Sequence, residues 1–431
     1  MAENKDFTER IDTDKESIFL QRLREKINLE VVGQDRAIRH ILRSVAAYYS
    51  GLKDPRRPIG GFIFAGPTGV GKTWLAKVFA RHFLKGSDRY RDYLTRIDCS
   101  TLSQEHEVAR LIGSPPGYVA YGEPSMLSQT NIDSYHFDVT VGDDDDQFAE
   151  SLRRFEAENA GRNNRARDEE SFALEFEYRA HKPYCSIIVF DEIEKAHPHI
   201  WNVLLQIMEE GELQLGKSGK KTIFSNSIII LTTNIGQRNI QEMLKGGIGF
   251  KVPQQDIQDK SLDQKIYETV KNNVEKKFPP ELFKRLDLVV FRPLRKEDFA
   301  NILDLFLSEE QEKLDELVKK ISQPQIEIEY TLKAKMFLLD KGVDIHYGAR
   351  ALRSIIEKYV RAPISNGLSS REIQFGDKIL VDAEDDKLAF FRQPRPEVQP
   401  VIEPQGPVAP VIEIKEEKPE EKKLIPERFN N

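Results

Sequence analysis

The chain has 431 residues, 39% of them hydrophobic and 31% charged, with a net charge of −7. That composition is that of a soluble globular protein of two or three domains with room for a large core, and the acidic balance argues against a non-specific nucleic-acid binder while leaving a local basic channel open. Cys99 and Cys185 make neither a disulfide framework nor a metal-ligand spacing, no apolar run reaches membrane-spanning length, and the N-terminus MAENKDFTER is too polar for a signal peptide, so a reducing, cytoplasmic setting is expected.

Residues 1 to 17 are polar and read as flexible. Ile18, Leu20, Leu23, Ile27 and Leu29 then recur at helical spacing and lead to Val31-Val32-Gly33-Gln34. A second helix is predicted from about Asp35 to Tyr49, followed by a loop from Gly51 to Gly60 rich in glycine, proline and aspartate. The apolar run Phe62-Ile63-Phe64-Ala65 predicts a short buried strand. It enters Gly66-Pro67-Thr68-Gly69-Val70-Gly71-Lys72-Thr73, and an amphipathic helix starts at Trp74. Strand, glycine turn and helix in that order are the context of a phosphate-binding P-loop. The glycines let successive N–H groups and the helix N-terminus face an anion, Lys72 reaches the outer phosphates, and the Thr73 hydroxyl can ligate magnesium. A nucleoside triphosphate cradled by Gly66, Pro67, Thr68, Gly69, Val70, Gly71, Lys72 and Thr73 is the expected cofactor.

Taken together, VVGQDRAI, GLKDPRRPIG and FIFAGPTGVGKT resemble the second ATPase module of the Clp and heat-shock disaggregase family, AAA+ proteins such as ClpA, ClpB and ClpC. The resemblance implies that Val32 joins the nucleotide-contacting residues. It continues through Arg96-Ile97-Asp98-Cys99-Ser100 into Arg110-Leu111-Ile112-Gly113-Ser114-Pro115-Pro116-Gly117-Tyr118-Val119-Ala120. In the family this last loop lines the pore of a hexamer, which makes Gly117, Tyr118 and Val119 the candidate substrate-gripping loop. An aromatic on a glycine-flanked loop offers a broad, sequence-tolerant contact; a tyrosine packed over a proline turn is the other reading. Ala120 stands where the family has a second glycine, which stiffens the loop.

The resemblance breaks after Met126 and resumes near Lys182-Pro183-Tyr184, which marks an insertion at about 127–181. It contains Asp143-Asp144-Asp145-Asp146 and a mixed-charge stretch, Arg153 to Arg179, that reads as an exposed helix. A solvated loop, a cation site and a partner-docking face are all open readings of the acidic cluster. Ser186-Ile187-Ile188-Val189-Phe190-Asp191-Glu192 then predicts a strand buried on both faces and ending in two carboxylates, a Walker B pattern. Asp191 would hold magnesium and Glu192 would polarise the attacking water; a helix cap is the bland alternative. His197 reads as structural.

A helix from His199 to Glu210 leads to a hairpin over Gly211–Thr222, a second pore loop in relatives, and then to a buried strand, Ile228 to Asn234. Asn234 corresponds to the family's sensor 1, with a turn cap as its alternative. In Gly246-Gly247-Ile248-Gly249-Phe250, the tripeptide Ile248, Gly249, Phe250 matches the loop by which some relatives dock on the ClpP peptidase, or else it is a local turn. Phe278-Pro279-Pro280-Glu281-Leu282-Phe283-Lys284-Arg285-Leu286-Asp287 resembles the arginine-finger segment, with Arg285 reaching a neighbouring subunit's nucleotide or, alternatively, salt-bridged to Asp287 or to a helix end.

Amphipathic helices follow, Phe299 to Leu317 and Ala334 to Lys341, and Gly348-Ala349-Arg350 matches sensor 2, which puts Arg350 on the phosphates. Alternating strands at Asp377–Asp382 and Lys387–Phe391 precede a tail rich in proline and charge, from Arg392 on, that reads as extended.

The predicted fold is α/β: an AAA+ P-loop large domain with a parallel sheet at 18–294, then a small helical domain with a short sheet at 295–391. The resemblance implies a homo-hexameric, Mg2+-dependent ATPase that pulls polypeptide through its pore. Two alternatives stand beside it, the ATPase subunit of a separate ClpP-like peptidase and a nucleotide-switched assembly module.

Overall fold

The computed structural model describes residues 16–50, 52–84, 92–113, 125–133, 185–216, 220–244, 260–344 and 348–393. The pore-loop candidates Gly117, Tyr118 and Val119, most of the insertion, the Ile248-Gly249-Phe250 tripeptide and the tail from 394 lie outside them.

Five strands form the central sheet: β1 (Gly60–Ala65), β2 (Thr95–Asp98), β3 (Ser186–Asp191), β6 (Ser227–Thr233) and β7 (Asp287–Val290). Between β3 and β6 in the chain, β4 (Glu212–Gln214) and β5 (Lys221–Ile223) make a separate antiparallel hairpin. The sheet order is β2-β3-β6-β1-β7, with every pairing parallel. Parallel strands need crossover helices on both faces, which is why β3 and β6 read as unbroken apolar runs. Alternate side chains sort between two cores. Phe62, Phe64, Ile187, Val189, Ile228 and Ile230 pack under helices Ile18–Asn28, Asp35–Tyr49 and Lys72–Phe83. Ile63, Ile188, Phe190, Ile229 and Leu231 face helices Glu105–Ile112, Ile200–Glu210 and Lys260–Lys277.

The first helix buries Leu20, Leu23 and Ile27, while Ile18 and Leu29 of the same spacing stay exposed at its ends. Ser17 caps it, its hydroxyl accepting the Leu20 N–H at 3.3 Å. The finger segment is a short helix, Pro280–Phe283, that runs straight into edge strand β7; a four-residue strand is too short to leave a readable alternation.

The first residues of the expected insertion are packed against the core. Leu127 and Ile132 are buried in the core, Leu127 N–H bonds to the Leu111 carbonyl at 3.1 Å, and the Ser186 hydroxyl donates to Asp133 at 2.7 Å. Residues 125–133 therefore pack with the large-domain core, held by burial of Leu127 and Ile132 that a mostly polar segment with three apolar positions does not advertise.

The small domain packs helices Lys296–Lys320, Leu332–Gly342, Ala349–Ile356 and Ala362–Ser369 around Phe299, Leu303, Leu338, Leu352 and Val360. Its sheet runs β10 (Lys387–Gln393), β9 (Lys378–Glu384), β8 (Glu327–Tyr330), with β9 and β10 joined by a tight turn whose Asp385 and Asp386 both have positive φ. β10 runs to Gln393, two residues into the predicted tail. Among the described residues no helix is long and apolar enough to cross a membrane.

Candidate functional site

The C-terminal ends of β3, β6 and β1 lie side by side, and a cleft of about 540 Å3 opens over them toward the small domain. This is where open parallel sheets bind ligands. Gly69 and Gly71 take φ of 77° and 95°, and a Cβ added at Gly71 would meet nothing within 4 Å, so the turn curls around open space.

Lys72 begins the helix after that turn and is only 8% exposed. Its ammonium donates to the carbonyls of Gly66 at 2.8 Å and Pro67 at 2.7 Å and to Asn234 Oδ1 at 2.8 Å. Burial pushes its pKa down to about 8, against the pull of the Glu194, Asp191 and Glu192 carboxylates. Asn234 is itself held, its backbone N–H donating to Glu194 Oε1 at 3.1 Å.

Asp191 ends β3 and is 6% exposed. Its Oδ1 accepts from the Thr73 hydroxyl at 3.1 Å and from the Thr232 hydroxyl. Its Oδ2 accepts from Arg96 twice, through Nε at 3.0 Å and Nη2 at 2.6 Å. Glu192, the next residue, sits in left-handed backbone (φ 55°, ψ 47°), a region that costs a side-chain-bearing residue about 1–2 kcal/mol. Its N–H donates to Thr232 Oγ1 at 3.0 Å and its carboxylate pairs with Lys195. It makes no side-chain cap on the 3-10 turn that follows, contrary to the bland reading.

The other wall comes from the small domain. The Ala349 N–H donates to the Gly69 carbonyl at 3.0 Å, which seats Arg350 on the rim of the cleft. Val32 also lines the cleft, together with Leu294, Ile302 and Phe306, an apolar patch suited to a flat heterocycle. Gln34, 3% exposed, ties two segments together: its amide donates to the carbonyls of Val70 at 3.2 Å and Arg292 at 3.1 Å. Glu30 also borders the cleft. Burial raises its carboxyl pKa, but hydrogen bonds from His82 and Arg81 outweigh that and bring it down to about 2.

Arg285 is not in this cleft. It lies in a second one of about 580 Å3, paired with Glu209 Oε1 at 2.6 Å rather than with Asp287. Of the predicted set, then, Val32, Thr68 to Thr73, Asp191, Glu192, Asn234 and Arg350 line one cleft, Gly66 and Pro67 hold Lys72 through their carbonyls, and Arg285 stands apart. Gln34, Arg96, Thr232 and Glu30 were legible only as members of strands and loops. Thr232 gives one signal, a polar break at the end of the run Ile228–Leu231. Cys99 and Cys185 are buried and unpaired, and burial pushes both thiols up.

The donors fit magnesium. Thr73 and Asp191 present hard oxygens, and among the described residues no group of three or more His, Cys, Asp or Glu forms a protein-only metal cage. Magnesium bound with a polyphosphate needs only one or two protein oxygens. The glycine turn, the helix N-terminus and Lys72 supply the complementary anion cradle.

Comparison with known proteins gives the family. The AAA domain (Cdc48 subfamily) matches residues 57–137 and 153–289, and the C-terminal, D2-small domain of ClpB protein matches 294–381. Only 138–152 of the insertion thus falls outside the first match. The chain is 34% identical over 379 residues to the chloroplastic ClpA homolog of Brassica napus, an ATP-dependent Clp protease ATP-binding subunit, covering 87% of this chain and 36% of that protein. It is 34% identical to the chaperone protein ClpB of Clostridium perfringens, covering 90% and 36%, and to ClpC/MecB of Bacillus subtilis, a negative regulator of genetic competence, covering 87% and 38%. The chain spans about a third of the length of these relatives.

Proposed function

Because this chain belongs to the AAA family of ATPases, in its Clp-type branch, we propose that it is an unfolding chaperone that binds ATP with Mg2+ in the cleft and threads polypeptide through the pore of a homo-hexamer. The supporting observation is the convergence of Lys72, Asp191, Glu192 and Asn234 beneath a wall contributed by a second domain, so that occupancy of the cleft bears on the angle between the two. The P-loop amides, Lys72 and Arg350 bind and neutralise the phosphates, while Thr73 and Asp191 hold the metal, whose chemistry is to offset charge on the outer phosphates. Glu192 takes the proton of a water that Asn234 orients. For this its carboxylate must leave Lys195.

Arg285 supports the ring. It lies away from its own subunit's cleft, so a role on phosphate requires a neighbouring copy. Its Glu209 pair holds it in place in the single chain.

Tyr118 is the proposed grip, and Tyr118→Ala tests the reading. ATP hydrolysis should persist while unfolding of a tagged fluorescent protein is lost. Normal unfolding by the variant would remove the threading mechanism.

That the Brassica napus relative is the ATP-binding subunit of a Clp protease favours a second reading, coupling to a separate peptidase. Ile248, Gly249 and Phe250 would be the docking residues. Association of a ClpP-like peptidase with the Glu192→Gln chain, abolished by Phe250→Ala, would establish it. The buried, unpaired cysteines fit the reducing interior we propose, the cytoplasm.

A further inference from the structure

Four donors occupy the Asp191 carboxylate: Thr73 and Thr232 on Oδ1, and two N–H groups of Arg96 on Oδ2. A cation, or the water shell of one, must displace a donor to reach this group. The candidates differ in their freedom to move. Thr232 is 1% exposed inside β6 and also accepts the Glu192 N–H, so it is fixed. Thr73 is anchored in the first turn of its helix and is itself an oxygen ligand. Arg96 is long, its side chain is 47% exposed, and it borders the cleft into which it would swing.

We propose that Arg96 is a displaceable stand-in for the metal. Its guanidinium neutralises the buried Asp191 charge until a metal–polyphosphate arrives, then releases Oδ2 and turns to the anionic phosphates, with which it forms charge-assisted hydrogen bonds. The metal alone brings no anion for Arg96, which then has only the nearby Asp98 carboxylate to turn to, so the exchange is favoured when metal and phosphates enter together. Arg96 is thus a positioning residue that makes divalent-ion binding conditional on nucleotide. The inference rests on Asp191 being the metal-side carboxylate.

The test is Mn2+ binding to the full chain by electron paramagnetic resonance, without nucleotide and with ADP. Wild type should bind Mn2+ alone weakly. Arg96→Met, which keeps the length and removes the charge, should bind it at least about tenfold more tightly, since the competing cation is gone. That gain should vanish in Arg96→Met/Asp191→Asn. Should Arg96→Met fail to fold, Arg96→Lys keeps a cation but offers Oδ2 a single point charge in place of the fork, and a several-fold gain is expected. Unchanged Mn2+ affinity in the folded variants would mean that Arg96 does not compete with a cation for Asp191 and would overturn the proposal. The underlying reading is tested separately: if Asp191→Asn leaves Mn2+–ADP affinity unchanged, Asp191 is not the metal-side group. If Asp191→Asn weakens Mn2+–ADP binding while the Arg96 variants gain nothing, only the stand-in role fails.

Discussion

Asn234 Oδ1 accepts a hydrogen bond from Lys72 Nζ at 2.8 Å, so the end of β6 and the glycine turn after β1 share one buried ammonium. With two P-loop carbonyls taking its other protons, Lys72 is fully bonded, and a phosphate must draw it from at least one of these partners.

This buried ammonium makes nucleotide affinity depend on pH. Burial has lowered the Lys72 pKa to about 8, whereas a bound polyphosphate stabilises the ammonium and raises it. Binding therefore takes up a proton above pH 8, and ADP affinity should fall by up to about tenfold per pH unit there, while staying level below about pH 7. Folding responds with the opposite sign. The unfolded lysine holds its proton to about 10.5, so the cost of burying the cation is present below pH 8 and is relieved between 8 and 10.5. A fluorescent-ADP titration from pH 6.5 to 9.5 reads the first effect; a flat profile would refute it. Lys72→Ala should remove the slope and weaken binding about 10- to 100-fold, the worth of hydrogen bonds to a charged group.

Glu192→Gln should bind ATP with near-wild-type affinity and hydrolyse it at least about a hundredfold more slowly, because the base is lost and the cradle is untouched. Phosphate release under saturating ATP measures this. Turnover within a few-fold of wild type would exclude Glu192 from proton transfer.

Gly348 sits on the seam between the domains. A Cβ there would stand 2.6 Å from the Gly69 carbonyl oxygen, and its φ is +57°. Gly348→Ala should therefore push the small domain off the P-loop, weaken ADP binding about tenfold and lower the melting temperature by several degrees, the sum of left-handed strain and a backbone clash. Calorimetry with and without ADP checks both parts. Wild-type values would show that the seam can open without consequence.

Two deletions should behave differently. Removing 138–152, which the AAA family match omits, should leave basal ATPase activity and melting temperature nearly unchanged, since closure entropy grows only slowly with loop length. Removing 125–152 also takes Leu127 and Ile132 out of the core and should destabilise the fold by several kcal/mol, about 2–5 for each large buried side chain. Equal melting temperatures would contradict the packing of residues 125–133 against the core.

Much of this was written in local pattern. Phe62–Thr73 carries strand, turn and helix in adjacent residues, and Ser186–Asp191 announces a two-sided strand by its unbroken apolar run, so the P-loop, Asp191, Glu192 and the α/β class could be read directly. What escaped was short or nonlocal. β7 has four residues and no period, residues 125–133 show their burial only once Leu111 is beside them, and Arg96 looks like any polar residue on an edge strand until β2 pairs with β3 and brings its guanidinium to Asp191.

The division has a physical cause. Backbone curvature at glycines, helix periodicity and strand burial depend on neighbours a few residues apart, so the chain's order alone determined that a phosphate cradle and a strand-end carboxylate pair exist. Which groups bond to which is decided by contacts between residues tens or hundreds of positions apart: Lys72 with Asn234, Arg96 with Asp191, Gln34 with Arg292, Gly69 with Ala349. Hydrogen bonds and ion pairs act over about 3 Å, and only the packed sheet, with β3, β6 and β1 side by side and the small domain closing over them, brings those atoms within that reach.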